Sequence, residues 1–199
     1  MANDYIEAAR VFHEVTKHSY TSVRSSPHLL DWDVKPLPYK IYPGAASVAL
    51  PRDLNLSGMP TLTALATRPD EESFAPLDIS VLTRILFCAD GLTRRRSVGG
   101  EDYHFRAAPS AGALYPIEIY VSAGEVEGLE GGLYHFSPAE LRMTGLRRGD
   151  WREYLARVAA NRPSILHARA VIGLSAIYWR SAWKYRARAH RYCYWDAGT

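Results

Sequence analysis

The sequence predicts an α+β fold, on three observations. Leu82, Ile85, Leu86 and Ala89 recur at i, i+3, i+4 and i+7, the stripe of a helix packed on a core, and Gly91 follows as a stop. Short alternating or apolar runs at 116–121, 133–136, 141–146 and 170–177 are bounded by Gly, Pro and Ser, as strands are. Hydrophobic residues make up 47% of the 199-residue chain, enough for a real core, and helix alternates with strand, the pattern of a sheet flanked by helices.

Each element follows from its residues. Asn3 can cap a short helix with Ile6, Ala9 and Phe12 on one face. From 18 to 60 the chain is broken by Pro27, Pro36, Pro38, Pro43, Pro51 and Pro60, yet it carries Leu29, Leu30, Trp32, Tyr39, Ile41 and Tyr42. That pattern predicts an arm laid across a larger body, where it would help form a dimer or cover a pocket. The expected division is thus an N-terminal helix and proline-rich arm over 1–60 and a compact domain over 61–199. Pro76 is expected to open the helix that ends at Gly91, and residues 94–100 read as a basic, glycine-containing loop. In the strand at 116–121, Ile117, Ile119 and Val121 face one side and Glu118 and Tyr120 the other. Gly131 and Gly132 precede a second strand at 133–136, and a turn at 137–139 leads into a third at 141–146. Residues 151–160 have helical spacing through Trp151, Leu155 and Val158. The run 170–177 reads as a strand buried on both faces. Residues 183–199 read as the opening of a helix rich in Arg and aromatic side chains.

Composition excludes several classes. A net charge of +3, with acids and bases interspersed, argues against a nucleic-acid partner, which only Arg94 to Arg96 and the arginines between 186 and 191 would favour. Cys88 and Cys193 stand in no metal-ligand spacing and make no disulfide framework, and Cys88 is expected in the core. The N-terminus has no basic start before an apolar run, and the longest apolar run, 170–179, is too short to span a bilayer. A cytoplasmic protein with no metal and no membrane partner is expected.

The stretch from 106 to 121 carries the chemistry. Pro109 fixes one φ, Gly112 can take φ > 0, and Ser110, Ala111 and Ala113 are too small to block a close ligand. A run of backbone N–H groups and one hydroxyl is left to face something flat or anionic. Thirteen Tyr and five Trp add flat surfaces for stacking.

The loop from Arg106 through Pro109, Ser110, Ala111, Gly112, Ala113, Leu114, Tyr115 and Pro116, with Lys184-Tyr185 and the run 191–198 containing Asp196, resembles the nitroreductase superfamily. More narrowly it resembles the SagB-type dehydrogenases, flavin enzymes that include azoline oxidases of peptide natural-product pathways. Residues 13–19 and 35–43 resemble the leader region of that group, so the likeness runs, with gaps, from about residue 13 to the end.

The resemblance implies a nitroreductase-like α/β sandwich, a mixed sheet flanked by helices. It implies FMN laid along the loop at a dimer interface, with Arg106, Pro109, Ser110, Ala111, Gly112 and Leu114 against the cofactor. Arg68 would pair bidentately with the phosphate, although Asp70 and Glu72 nearby would repel it, and Arg94 to Arg96 would supply further charge. Lys184 would act as base on a substrate carbon, with Arg180, Arg186 and Arg188 to lower its pKa, and Tyr185 would hold the substrate or orient the lysine. The implied reaction is hydride transfer between a small-molecule or peptide-azoline substrate and flavin, with NAD(P)H a candidate electron donor and a homodimer or a second nitroreductase-like half as partner. Thr199 stands where the family has a histidine, and the family continues with a long apolar helix, a further strand and basic phosphate ligands. The domain is therefore expected to be incomplete at its C-terminus, with a sheet edge and an apolar face open. The alternative expectation is a truncated, non-catalytic fragment acting as a partner-binding module.

Overall fold

The computed structural model describes residues 4–25, 28–56, 58–68 and 76–199. Asn3 and the stretch 69–75, with Asp70 and Glu72, lie outside the described residues. In chain order come helices α1 (Asp4–Thr16) and α2 (Tyr20–Arg24), strand β1 (Ser47–Ala49), and helices α3 (Thr61–Ala66) and α4 (Ile79–Asp90). Strands β2 (Leu92–Val98) and β3 (Glu101–Arg106), a 3-10 turn (Ala111–Ala113), and strands β4 (Ile117–Ala123), β5 (Gly132–Ser137) and β6 (Arg142–Arg148) follow. Helices α5 (Arg152–Val158) and α6 (Pro163–His167), strand β7 (Ala170–Ala176), helix α7 (Tyr178–Tyr185), a 3-10 turn (Arg186–Arg188) and helix α8 (Ala189–Gly198) complete the chain. The expected α+β class is the one observed.

The chain divides into two compact units, Met1–Pro38 with Pro109–Ile117 and Ala176–Thr199, and Tyr39–Ala108 with Glu118–Ser175. The second unit holds a five-stranded sheet in the order β1-β6-β5-β4-β7. Strand β1 runs antiparallel to β6, β6 to β5, and β5 to β4. Ile119, Val121, Phe136 and Met143 project from one face and pack with Leu82 and Leu86 of α4 into the main core. The other face carries Glu118 and Tyr120 of β4 and His135 of β5, with Tyr120 directly opposite His135. The two-sided reading of residues 117–121 therefore holds.

Helix α4 forms for local reasons. Asp78, not Pro76, caps it, its carboxylate accepting from Val81 N–H at 2.7 Å. Leu82, Thr83, Leu86 and Asp90 face inward, whereas Ile85, Cys88 and Ala89 face solvent. The expected core place for Cys88 is thus corrected: Asp90 is held inside by Arg106, and the face that includes it leaves Cys88 outside. Gly91 ends the helix with φ −63, so its role is space and not a left-handed turn. A Cβ there would come within 2.6 Å of Phe87 O.

Two further expectations change. Residues 94–100 are not a loop: Arg94 to Arg96 lie in β2, paired antiparallel with Phe105 to Tyr103 of β3. Gly99 and Gly100, at φ +62 and +85, make the tight reversal that a two-residue hairpin demands. Strand β7 exists but is not buried on both faces, because it stands at the end of the sheet order and leaves Ile172 and Leu174 exposed. Helix α6, started by Pro163 at its first turn, has too short a pattern to be read from periodicity.

In the first unit the arm packs on α7. Trp183 Nε1 donates to Asp31 O at 2.6 Å, His28 Nε2 lies 2.9 Å from Trp183 O, and Trp32 meets Trp183 edge-on at 5.3 Å. The C-terminal carbonyls of α1 are met by arginines: Arg188 Nε donates to Thr16 O at 2.8 Å and Arg191 Nη2 to His13 O at 3.0 Å. Among the described residues, no helix is long and apolar enough to cross a membrane.

Candidate functional site

The small-residue loop folds into a turn of unusual backbone. Gly112 takes φ +66, as its freedom from a Cβ allows, and Ala113 and Tyr115 follow at +54 and +46. Left-handed backbone at two non-glycine positions costs roughly 1 kcal/mol or more each and concentrates at functional sites. Ala113 N–H closes the turn on Ser110 O at 3.0 Å. Ser110 Oγ accepts from Tyr115 N–H at 2.9 Å and donates to Asp196 Oδ2 at 2.6 Å. The Ser110 hydroxyl is therefore engaged inside the protein, and what Ala111, Gly112, Ala113 and Leu114 present outward is backbone and small side chains.

The pair Lys184-Tyr185, at the end of α7, meets this loop. A Cβ built on Gly112 would stand 2.6 Å from Tyr185 Oη and 3.0 Å from Lys184 Nζ, so both tips lie against the glycine. Lys184 Nζ sits 5.5 Å from the centroid of the Tyr185 ring, and Tyr185 packs on Tyr192 at 4.5 Å. Burial pushes the Tyr185 phenol above the usual tyrosine value, and the neighbouring Tyr192 and Asp196 add to that. Burial also holds the Asp196 carboxyl above the ordinary carboxylate range, although the hydrogen bonds from Ser110 and Ala111 N–H pull it down. The three arginines expected to act on Lys184 serve other groups. Arg180 reaches Leu37 O and Tyr115 O, Arg186 reaches His28, and Arg188 reaches Thr16 O.

The remaining expected residues belong to the second unit. Arg106 is buried, its Nη1 donating to Asp90 Oδ2 at 2.6 Å and its guanidinium lying 5.0 Å from the Tyr39 ring centroid. This ion pair ties β3 to α4. Arg68 is exposed just beyond α3, and Arg94 to Arg96 are exposed on β2. The structure thus brings Ser110, Gly112, Lys184, Tyr185 and Asp196 together and keeps Arg68 and Arg106 in a separate unit.

No family model matches the chain. A Methanocaldococcus jannaschii protein named as a candidate nitroreductase is 34% identical over 124 residues, 62% of this chain and 59% of that protein. A crystal structure of a candidate nitroreductase from Anabaena variabilis superposes with a TM-score of 0.74 at 30% identity, over 96% of this chain and 36% of that one. The chain is a relative of the nitroreductases. It spans 59% of the first of these relatives and 36% of the second. A third relative, the trifolitoxin-processing protein TfxB of Rhizobium leguminosarum bv. trifolii, is 35% identical over 72 residues, 35% of this chain and 19% of that protein.

Nitroreductase-type chemistry implies a flavin, and the first unit suits its ring. A left-handed turn of Gly and Ala, with the Lys184 Nζ and Tyr185 Oη tips beside it, gathers small residues and polar groups of the kind a flat, hydrogen-bonding ring needs. Of the residues expected to meet the phosphate, Arg68 and Arg94 to Arg96 are described, and all are exposed residues of the second unit.

The sequence places Asp196 in the resemblance and Arg180 beside Lys184, but their partners, Ser110 and Ala111 for Asp196 and the Leu37 and Tyr115 carbonyls for Arg180, are legible only in the structure.

Proposed function

We propose that this chain is the flavin-facing part of an FMN-dependent oxidoreductase of the nitroreductase type, in the SagB-type dehydrogenase branch. Its reaction is hydride transfer between a small-molecule or peptide-azoline substrate and flavin. The observation that carries this reading is the convergence of Lys184 and Tyr185 on Gly112 within a left-handed loop. The likeness to a protein named for trifolitoxin processing supports a peptide substrate. When bound, FMN would accept or give the hydride at its N5.

The chain's own residues do the rest. The backbone of 111–114 would lie along the ring, and Arg68 would pair with the phosphate. As the free amine, Lys184 Nζ would take the proton from the substrate carbon, and the neutral Tyr185 phenol would donate a hydrogen bond to the substrate. NAD(P)H is a candidate electron donor, and a homodimer or a second nitroreductase-like polypeptide would complete the site in the cytoplasm.

The test is the visible spectrum of the purified chain after addition of FMN and gel filtration. Stoichiometric retention of flavin bands supports the reading, and no retention at micromolar FMN removes it for this chain. Lys184→Ala should lower substrate oxidation about 10²-fold or more with flavin still bound. Arg68→Ala should weaken FMN binding about tenfold, the effect of losing one charge-assisted contact.

A further inference from the structure

The left-handed turn at 112–115 persists only if its surroundings over-determine it. Two charged side chains from different helices do so. At its start, the Asp196 carboxylate of α8 accepts from Ser110 Oγ at 2.6 Å and from Ala111 N–H, while Ser110 Oγ itself accepts Tyr115 N–H. One carboxylate thereby closes the turn from residue 110 to residue 115. At its end, Arg180 of α7 is 2% exposed and donates from Nη1 to Tyr115 O at 2.8 Å. Its Nε donates to Leu37 O at 2.9 Å, which ties the proline-rich arm to the same point.

Half-burying a carboxylate is unfavourable, as the raised Asp196 pKa shows, and burying a guanidinium is more so. The hydrogen bonds named above, from both charges, meet this one loop and the arm beside it. Their geometry also differs from ordinary capping, because Asp196 sits near the C-terminus of its helix, where the dipole disfavours a negative charge. Helix propensity and helix capping therefore give no reason for an acid at this position.

We propose that Asp196 and Arg180 are positioning residues that hold the 110–115 loop in its ligand-ready, left-handed form before any flavin arrives. This rests on the flavin reading of the loop. Neither side chain is assigned a contact with substrate or cofactor. Each acts on the loop without touching a ligand, so the loop's shape is set by α8 and by α7, which also carries Lys184 and Tyr185. A single clamp would then fix both the platform and the spacing from Gly112 to the catalytic pair.

The test is amide hydrogen exchange on the flavin-free chain, followed by FMN titration. Asp196→Ala should speed exchange at 111–115 while leaving β5 protected, and should weaken FMN binding about tenfold. Asp196→Asn, whose amide oxygen still accepts from Ser110 and Ala111, should restore both. Arg180→Lys, with one ammonium where a fork met two carbonyls, should loosen Tyr115 and the arm at 37 together. Unchanged exchange at 111–115 in Asp196→Ala overturns the clamp. Faster exchange with FMN affinity intact overturns its role in positioning the flavin. Failure of the unmodified chain to take up FMN would instead reject the proposed function, with the exchange arm still deciding the clamp.

Discussion

At the scale of single residues, Gly112 and Asp196 make the sharpest statements. Gly112→Ala places a Cβ at φ +66 and drives it toward Tyr185 Oη and Lys184 Nζ. The side-chain tips can move, so the expected loss is the backbone term, about 1 kcal/mol of stability, with Lys184 displaced from the loop. Chemical denaturation reads the first and FMN-dependent turnover the second. Asp196 gives a pH dependence. Its folded-state pKa is raised, so the folded chain keeps a proton that the unfolded chain has released. Stability from this group is therefore full below the unfolded value, about 3.9, and falls as pH climbs through the folded value. The groups facing it, Tyr185 and Cys193, both have raised pKa values and stay neutral over that range. Asp196→Asn should thus raise Tm relative to the unmodified chain more at about pH 7 than at about pH 4. An equal difference at both would contradict the burial of the charge.

At the scale of elements, α4 and the polar face of β4 and β5 divide the labour of the second unit. Leu86 is 0% exposed, and Leu86→Ala should cost about 3 kcal/mol through the cavity it leaves. On the opposite face, Glu118 Oε2 and His135 Nε2 lie 2.5 Å apart with both side chains 2% exposed. Glu118→Ala should cost about 2 kcal/mol in urea denaturation, because it orphans a buried imidazole, while Glu118→Gln should recover part of that. The same face carries Lys40, which donates to Tyr120 Oη at 2.8 Å, with Tyr42 Oη 2.9 Å from the same atom. Burial alone would raise the Tyr120 pKa, but the bonds from Lys40 and Tyr42 outweigh it and hold the phenol below its ordinary value. Lys40→Met should therefore shift one tyrosine's ultraviolet titration upward, and an unmoved titration would count against this pairing.

At the scale of the whole molecule, the notable surface is the sheet edge. Strand β7 ends the sheet order with Ile172 and Leu174 exposed, a combination that invites strand pairing with another chain. Leu174→Lys should lower the concentration-dependent mass seen by light scattering, and an unchanged mass would place any self-association elsewhere. Much of the fold could be read from the chain: β4, β5 and β6 lie within a few residues of their expected places, as does α4. The β2–β3 hairpin is not legible in the chain, because three consecutive arginines mask the alternation and Gly99-Gly100 reads as part of a loop.

Local chemistry alone determined the α+β class and the freedom of Gly112 to take a positive φ, because each depends on residue type and short-range spacing, whereas the association of that loop with Lys184-Tyr185 came from the family resemblance. The tertiary structure decided what the polar groups do. It turned the Ser110 hydroxyl toward Asp196, gave Arg106 to Asp90, and brought Arg180 to Tyr115 O across 65 residues of chain. Charges are exchangeable in a sequence, and any arginine can serve any acceptor. Only folding, by burying each charge where one partner is within reach, selects which hydrogen bond is made.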